Sequence, residues 1–334
     1  MLSALLGFGH WALLGLPAFV FVITVVIFFH ELGHFLMARA FGISVETFSI
    51  GFGPAIVGWS DRKGTRWKVS WIPLGGYVKF LGDMDAASTP DRDRIARLSP
   101  SERAGTFAFK PLYQRALVVA AGPAANFVLA ILIFAATFMI IGRDIVAPVV
   151  DVVQPHSAAA AAGIERGDII RAINGEKIAS FSDLQRIVSI STGRKLTIEV
   201  SRKGKKLFVH AVPKTTILKD RFGDTHEMGA LGVGNYLNRG EVSHVRYGPW
   251  AAFAQAGRQV WEIVSTTLTY LWQMVAGYQS ADQLSGPIGI AKLSGQVAEI
   301  GFVALVNLAA LISVSIGMVN LFPIPILAGP LQRP

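Results

Sequence analysis

The sequence predicts a polytopic α-helical membrane protein with a membrane-associated β-hairpin region and a separate α+β module outside the bilayer. Three observations lead there. The 334 residues are 52% hydrophobic and only 16% charged, with a mean hydropathy of +0.47, well to the apolar side of soluble domains. Three stretches, residues 13–37, 116–141 and 300–327, reach the roughly 20 apolar residues that a bilayer crossing takes. Between them lie two segments whose period-two alternation and glycine punctuation favour strands over helices.

The first span belongs to residues 1–42 and ends in His-Glu-Leu-Gly-His, His30 to His34. On a helix, positions i and i+4 share a face, so the two imidazoles can grip one metal ion, with Glu31 placed to take a proton from water. Ionisable groups inside an apolar span cost several kcal/mol each and need a cause. The competing reading is a histidine pair hydrogen-bonded inside a polar bundle. With 7 histidines in the chain, a chance match to this spacing is rare. The stretch before the span carries no Lys or Arg, so it reads as a retained anchor and not as a cleaved signal.

Residues 43–85 read as short β segments broken by Gly51–Pro54 and by the Pro73–Tyr77 turn, a hairpin region whose Trp, Phe and Ile content fits the membrane. Its edge could take an extended peptide by strand addition. Residues 86–115, rich in Asp, Arg, Ser and Pro, read as a solvated cytoplasmic linker. Residues 116–142 form the second span, uncharged between Arg115 and Arg143. Residues 147–236 form the α+β module, with a helix at 183–188 and strands at 196–201 and 206–212. Residues 245–298 read as an amphipathic region on the outer membrane surface, because 251–275 carry Arg258 and Glu262 among Trp261, Tyr270 and Trp272. Residues 299–327 form the third span, containing Asn307 and Asn320, and 328–334 form an atypical tail.

Twelve basic residues, from Arg39 to Arg115, lie between spans one and two, which orients that loop to the cytoplasm and the N-terminus outside. The net charge of +9 suits an anionic lipid surface; no nucleic-acid motif accompanies it. The absence of cysteine excludes disulfides, iron–sulfur clusters and thiol catalysis.

Taken in order, HELGH (30–34), GFGP (51–54), IPLGGYVK (72–79), AGPAANF (121–127), SGPIGIA (285–291) and NLFPIPIL (320–327) resemble the bacterial site-2 proteases of the regulator-of-sigma-E type. These are intramembrane zinc metalloproteases. Residues 147–236 resemble a PDZ domain, with Gly229–Val233 similar to the glycine loop that receives a peptide C-terminus and Gly232 at its close approach. The resemblance implies Zn2+ held by His30 and His34, Glu31 as general base, and Asn320, Pro323, Gly75 and Gly76 at the substrate. It implies a single-pass membrane substrate such as a trimmed anti-sigma factor, in a bacterial inner membrane, with the N-terminus and the PDZ domain periplasmic. One departure stands out. The family follows this last motif with Asp-Gly-Gly, whose aspartate is the third zinc ligand; here Ala328, Gly329 and Pro330 follow, and the family's fourth membrane helix is not found. The expectation is therefore an inactive chain of a protease family, the alternative being a catalytically dead PDZ membrane adaptor.

Overall fold

The computed structural model describes residues 14–85, 89–219, 225–235, 242–276 and 286–321. Two compact units divide the chain, one built mainly from residues 1–137, 251–261 and 286–334, the other from 138–250 and 262–285.

In the first unit, α1 spans Leu16–Ala40, with Pro17 in its first turn, where a missing N–H costs nothing. It stops where the Phe41 amide turns back to Met37 and Gly42 takes a left-handed conformation, φ 65°. Further along come α4 (Leu112–Ile140) and α9 (Phe302–Leu321). Among the described residues these three helices are long and apolar enough to cross a membrane. Helix α4 begins at Leu112, earlier than the expected 116, because the Pro111 carbonyl accepts from Gln114 and Arg115 and starts the first turn.

Two strands follow α1. Strand β1 is Val45–Ser60 and β2 is Arg66–Phe80, each longer than the segments expected from sequence. Glycine bends the strand here instead of ending it: Gly51 and Gly53 sit at φ 85° and 87° inside β1. The register shows the result. Thr47–Ile50 pairs both with Gly76–Lys79 and with Arg66–Val69, while Ala55–Ser60 pairs with Arg66–Ser70. Two strands thus make a sheet four segments wide. Its inner face, Val45, Phe48, Val78 and Phe80, packs on Phe35 and Ala38 of α1 and on Val118 of α4. Arg39, in the last turn of α1, binds Asp61 in the hairpin turn, whose other oxygen accepts from the Lys63 and Thr65 amides.

The expected linker 86–115 is partly helical instead. Asp91 caps α2 (Arg92–Arg97), and Ser99 with Glu102 makes a reciprocal capping box for α3 (Pro100–Ala104). Arg103 then ties the two together through the Ile95 and Ala96 carbonyls, over a buried Ile95. A polar composition conceals helices this short, since their signal is capping and not apolar period.

The expected amphipathic stretch 245–298 is two helices of different character. Helix α7 (Pro249–Val275) buries Ala252, Ala256 and Val260 and exposes Trp250, Trp261, Leu268 and Trp272 along a stripe. Helix α8 (Pro287–Ile300) does not lie free. Its Ile290 and Val297 pack on a core of Ala18, Val22 and Val26 from α1 and Leu305, Leu308 and Ile312 from α9. Small and polar residues such as Ser294, fully buried with its hydroxyl on the Ile290 carbonyl, mask this helix's apolar face in the sequence.

The second unit centres on a four-stranded antiparallel sheet, in the order β6 (Glu176–Lys177), β5 (Ile169–Ile173), β7 (Leu196–Arg202) and β8 (Lys205–Ala211). Its core joins Ile170, Ile173, Ile198 and Val200 to Leu184, Ile187 and Val188 of α6 (Phe181–Ser189), which a Ser180–Asp183 capping box starts. A short α5 (Ala158–Ala161) adds Ala158 and Ala159. Short antiparallel pairs complete the unit: β3 (Arg143–Val146) with β12 (Val242–Val245), β4 (Val152–Val153) with β11 (Val233–Gly234), and β9 (Lys214–Lys219) with β10 (Thr225–Ala230).

Candidate metal centre

One turn of α1 brings His30 and His34 together, with Nε2 of each 3.2 Å from the other and the rings edge to face. The neighbours that hold them come mostly from α4. His34 Nδ1 lies 2.7 Å from the Val118 carbonyl oxygen, and a carbonyl only accepts, so Nδ1 carries the proton and Nε2 keeps its lone pair. That is the tautomer in which a metal-ligating histidine is normally held by its second partner. His30 Nδ1 lies 3.2 Å from Asn126 Nδ2.

The helices approach closely because three glycines allow it. A β-carbon at Gly33 would fall 2.2 Å from the Ala121 carbonyl oxygen, so α1 and α4 touch backbone to backbone there. A β-carbon at Gly122 would fall 2.3 Å from His34 Nε2. On α9, Gly317 faces the Asn126 β-carbon and the Pro123 carbonyl, and Ser313 donates to the Asn126 backbone carbonyl at 2.9 Å. Pro123 lies inside α4 in this same turn.

Glu31 borders the hairpin. A β-carbon at Gly76 would lie 2.8 Å from Ile27, 2.9 Å from the Ser49 carbonyl and 3.0 Å from Glu31 Cγ. At Gly75 it would lie 2.0 Å from the Phe52 ring. Both glycines, expected at the substrate, thus leave room for close packing beside the glutamate and within the hairpin. Asn320 lies in the last turn of α9, three residues beyond Gly317 and on its face. Pro323 and Ala328 lie outside the described residues. Gly232 is in the second unit at φ 77°, where a β-carbon would meet Ser157 Cβ at 2.3 Å; its carbonyl accepts from the Gln154 amide. Glycine is needed there by conformation and by Ser157, whatever the loop binds.

The two imidazoles fit a metal ion: both can present a lone pair from one face, and one already has its orienting partner. Among the described residues no group of three or more His, Cys, Asp or Glu could complete a ligand set, so the third protein ligand of a usual catalytic zinc site is not in view. Val118, Gly122 and Asn126 are neighbours of the site that the sequence does not single out. A signal for two of them exists, since Gly122 and Asn126 lie within Ala121–Phe127, one of the motifs that carry the resemblance.

A histidine pair with an adjacent glutamate, on a helix fit to cross a membrane and gripped by a second such helix, defines a metallopeptidase-type site. The pattern of peptidase family M50 matches residues 18–330, and the chain belongs to that family, the site-2 proteases. A protein of Rhizobium meliloti, named provisionally as a zinc metalloprotease, is 47% identical over 314 residues, covering 94% of this chain and 84% of that one. One from Agrobacterium fabrum, named likewise, is 47% identical over 311 residues, covering 93% and 82%. The metalloprotease MmpA of Caulobacter vibrioides is 36% identical over 343 residues, covering 95% and 84%.

Proposed function

We propose that this chain carries the site of an intramembrane zinc peptidase that cuts single-pass membrane proteins within their spanning segment. The observation that carries the reading is the convergence of His30 and His34 at 3.2 Å inside a helix apolar and long enough to span a bilayer. The names of the relatives support zinc as the metal. When bound, zinc polarises a carbonyl and brings the pKa of water to about 7.

The chain's own residues supply the rest. His30 and His34 would hold the ion. The Glu31 carboxylate accepts the proton from attacking water and returns it to the leaving amine. The β1–β2 sheet, pressed on α1 beside Glu31 through Gly76, offers extended backbone to which an unwound substrate segment can add. That pairing also removes the helical hydrogen bonds that shield a peptide bond. Asn320, in the last turn of α9, and Pro323 would flank the same segment, as the resemblance implies. The second unit, read as a PDZ domain on the periplasmic side of a bacterial inner membrane, would capture a newly exposed C-terminus or exclude untrimmed substrates such as an intact anti-sigma factor.

Position 328 favours a second reading. Where the resemblance implies an aspartate ligand this chain has Ala328, and two histidines alone hold zinc weakly. In that reading the chain is a catalytically dead membrane adaptor that works through its PDZ module. Reconstituting the chain with a single-pass substrate separates the two. Cleavage that rises on Ala328→Asp and vanishes on Glu31→Gln supports a peptidase site lacking one ligand. Substrate binding with no cleavage in either form supports the adaptor.

A further inference from the structure

The face of the β1–β2 sheet turned away from α1 has a chemistry of its own. Successive strand residues point to opposite faces, so with Phe48 and Val78 packed on α1, Thr47 and Ser49 belong to the other side. Thr47 pairs with Lys79 and with Arg66, and Ser49 pairs with Tyr77 and with Lys68. Lys79, Arg66 and Lys68 therefore share that face. Lys79 has Glu46 at 3.7 Å. Among the described residues Arg66 and Lys68 have no carboxylate partner. Lys68 Nζ lies 3.5 Å from the Gly53 carbonyl and 5.2 Å from the centre of the Tyr77 ring. The two cations line a cleft of about 250 Å³ with Thr47 and Tyr77, and Gly53–Ala55, just past the bend of β1, form another wall. Gly58, opposite Lys68, adds no side chain to crowd it. Along both strands next to the cleft the hairpin turns apolar: Ile56, Val57, Trp71, Ile72 and Leu74 are all exposed. A contiguous apolar patch of this kind marks a surface that something other than water covers.

We propose that this cleft binds the phosphate of an anionic phospholipid, whose acyl chains lie along the exposed apolar residues of the hairpin. The Arg66 guanidinium can meet two phosphate oxygens at once and Lys68 acts as a point charge, with the Thr47 and Tyr77 hydroxyls as further donors. Cations without a carboxylate partner, set within a few residues of large exposed apolar side chains, match the boundary between headgroups and hydrocarbon. A free anion accounts for the cations and not for the apolar patch. A phospholipid accounts for both, and a chain with helices fit to cross a bilayer has such lipids at hand. The glycines that bend β1 thus do more than shape a hairpin: they fold its backbone beside the two charges and give the phosphate a walled seat.

The test uses the full chain in an uncharged detergent and the fluorescence anisotropy of phosphatidylglycerol carrying a dye on one acyl chain. It should bind more tightly than phosphatidylcholine labelled the same way. Arg66→Gln combined with Lys68→Gln should weaken it about 30-fold, on the scale of two cations lost at a lipid surface. Lys68→Arg, which keeps the charge, should retain most of the affinity. Arg62→Gln combined with Lys63→Gln removes the same charge from exposed positions in the hairpin turn and should change little. Equal affinity for the two lipids overturns the inference, and so do equal losses in the two double variants, which would mean diffuse attraction and not a site. Inorganic phosphate displacing the dye-lipid as readily as unlabelled phosphatidylglycerol would make the cleft an anion site indifferent to lipid. An acidic peptide displacing it more readily than the unlabelled lipid would make it a peptide site. Either result overturns the assignment of a phospholipid.

Discussion

Gly122 and His34 meet so closely that a β-carbon on the glycine would lie 2.3 Å from the imidazole Nε2 and 2.6 Å from Cε1. The imidazole thus lies in a notch cut into α4 by one missing methyl group. It cannot retreat freely, because its other nitrogen is bound to the Val118 carbonyl in the turn before.

Gly122→Ala should therefore displace the His34 ring and lower zinc content at least about tenfold, on the scale of lost ligand-orienting contacts. Gly257→Ala, at a helical glycine whose added β-carbon would meet nothing within 4 Å, should leave zinc unchanged and add up to about 1 kcal/mol of helix stability. Metal content of the purified proteins and their thermal unfolding in detergent check both.

Gly76→Val should separate metal binding from chemistry. The first atoms that an added β-carbon would meet belong to Ile27, the Ser49 carbonyl and Glu31. Zinc content should stay near wild type. In a form made active by an aspartate at position 328, kcat/KM should fall about tenfold or more, the loss expected for a misplaced general base. Parallel loss of zinc would show that the hairpin supports the ligands themselves.

The second unit should have its own acid limit. Asp168 is fully buried. Burial opposes its charge, but the Arg202 guanidinium and the Glu165 amide outweigh that and hold the carboxyl below the usual carboxylate range. The folded value lies under the unfolded one, near 3.9. The bond's contribution is thus complete above that pH and fades as pH falls through the folded value. Asp168→Asn should cost about 3 kcal/mol near neutrality, as breaking a buried pair does, and should flatten the acid limb. Hydrogen exchange at β5 and β7 between pH 3 and 6 would report it.

Topology is open to a direct check, because the chain has no native thiols. Ser101→Cys and Lys205→Cys both fall at exposed positions. They should label from opposite faces of the membrane, Ser101→Cys from the cytoplasmic side. Labelling of both from one side would reverse the assignment of the second unit to the periplasm.

What could be read from the sequence was whatever repeats locally. HELGH needs only the helical period, and the apolar runs need only length. What escaped was set by contacts distant along the chain: His34 to Val118 spans 84 positions and His30 to Asn126 spans 96. Asn126 alone looks like any polar residue in a span. It gains meaning only once Gly33 and Gly122 have let α1 and α4 close together. The bent strands escaped for a different reason, since glycine usually marks an end and here marks a fold within a continuing strand. Helix α8 escaped because its packing face is built partly from Ser294 and glycine instead of large apolar side chains.

The contact between Gly33 and the Ala121 carbonyl makes the joint between α1 and α4 a keyed one. Sliding α1 by one turn, about 5.4 Å, would bring Phe29 or Met37 to a place where only a hydrogen atom fits. No neighbouring register can substitute for the native one, so mispaired helices are rejected by shape alone. The grip on His34 forms only after that key has turned. During membrane insertion, then, the contacts that orient the histidine pair cannot form ahead of the correct docking of α1 on α4.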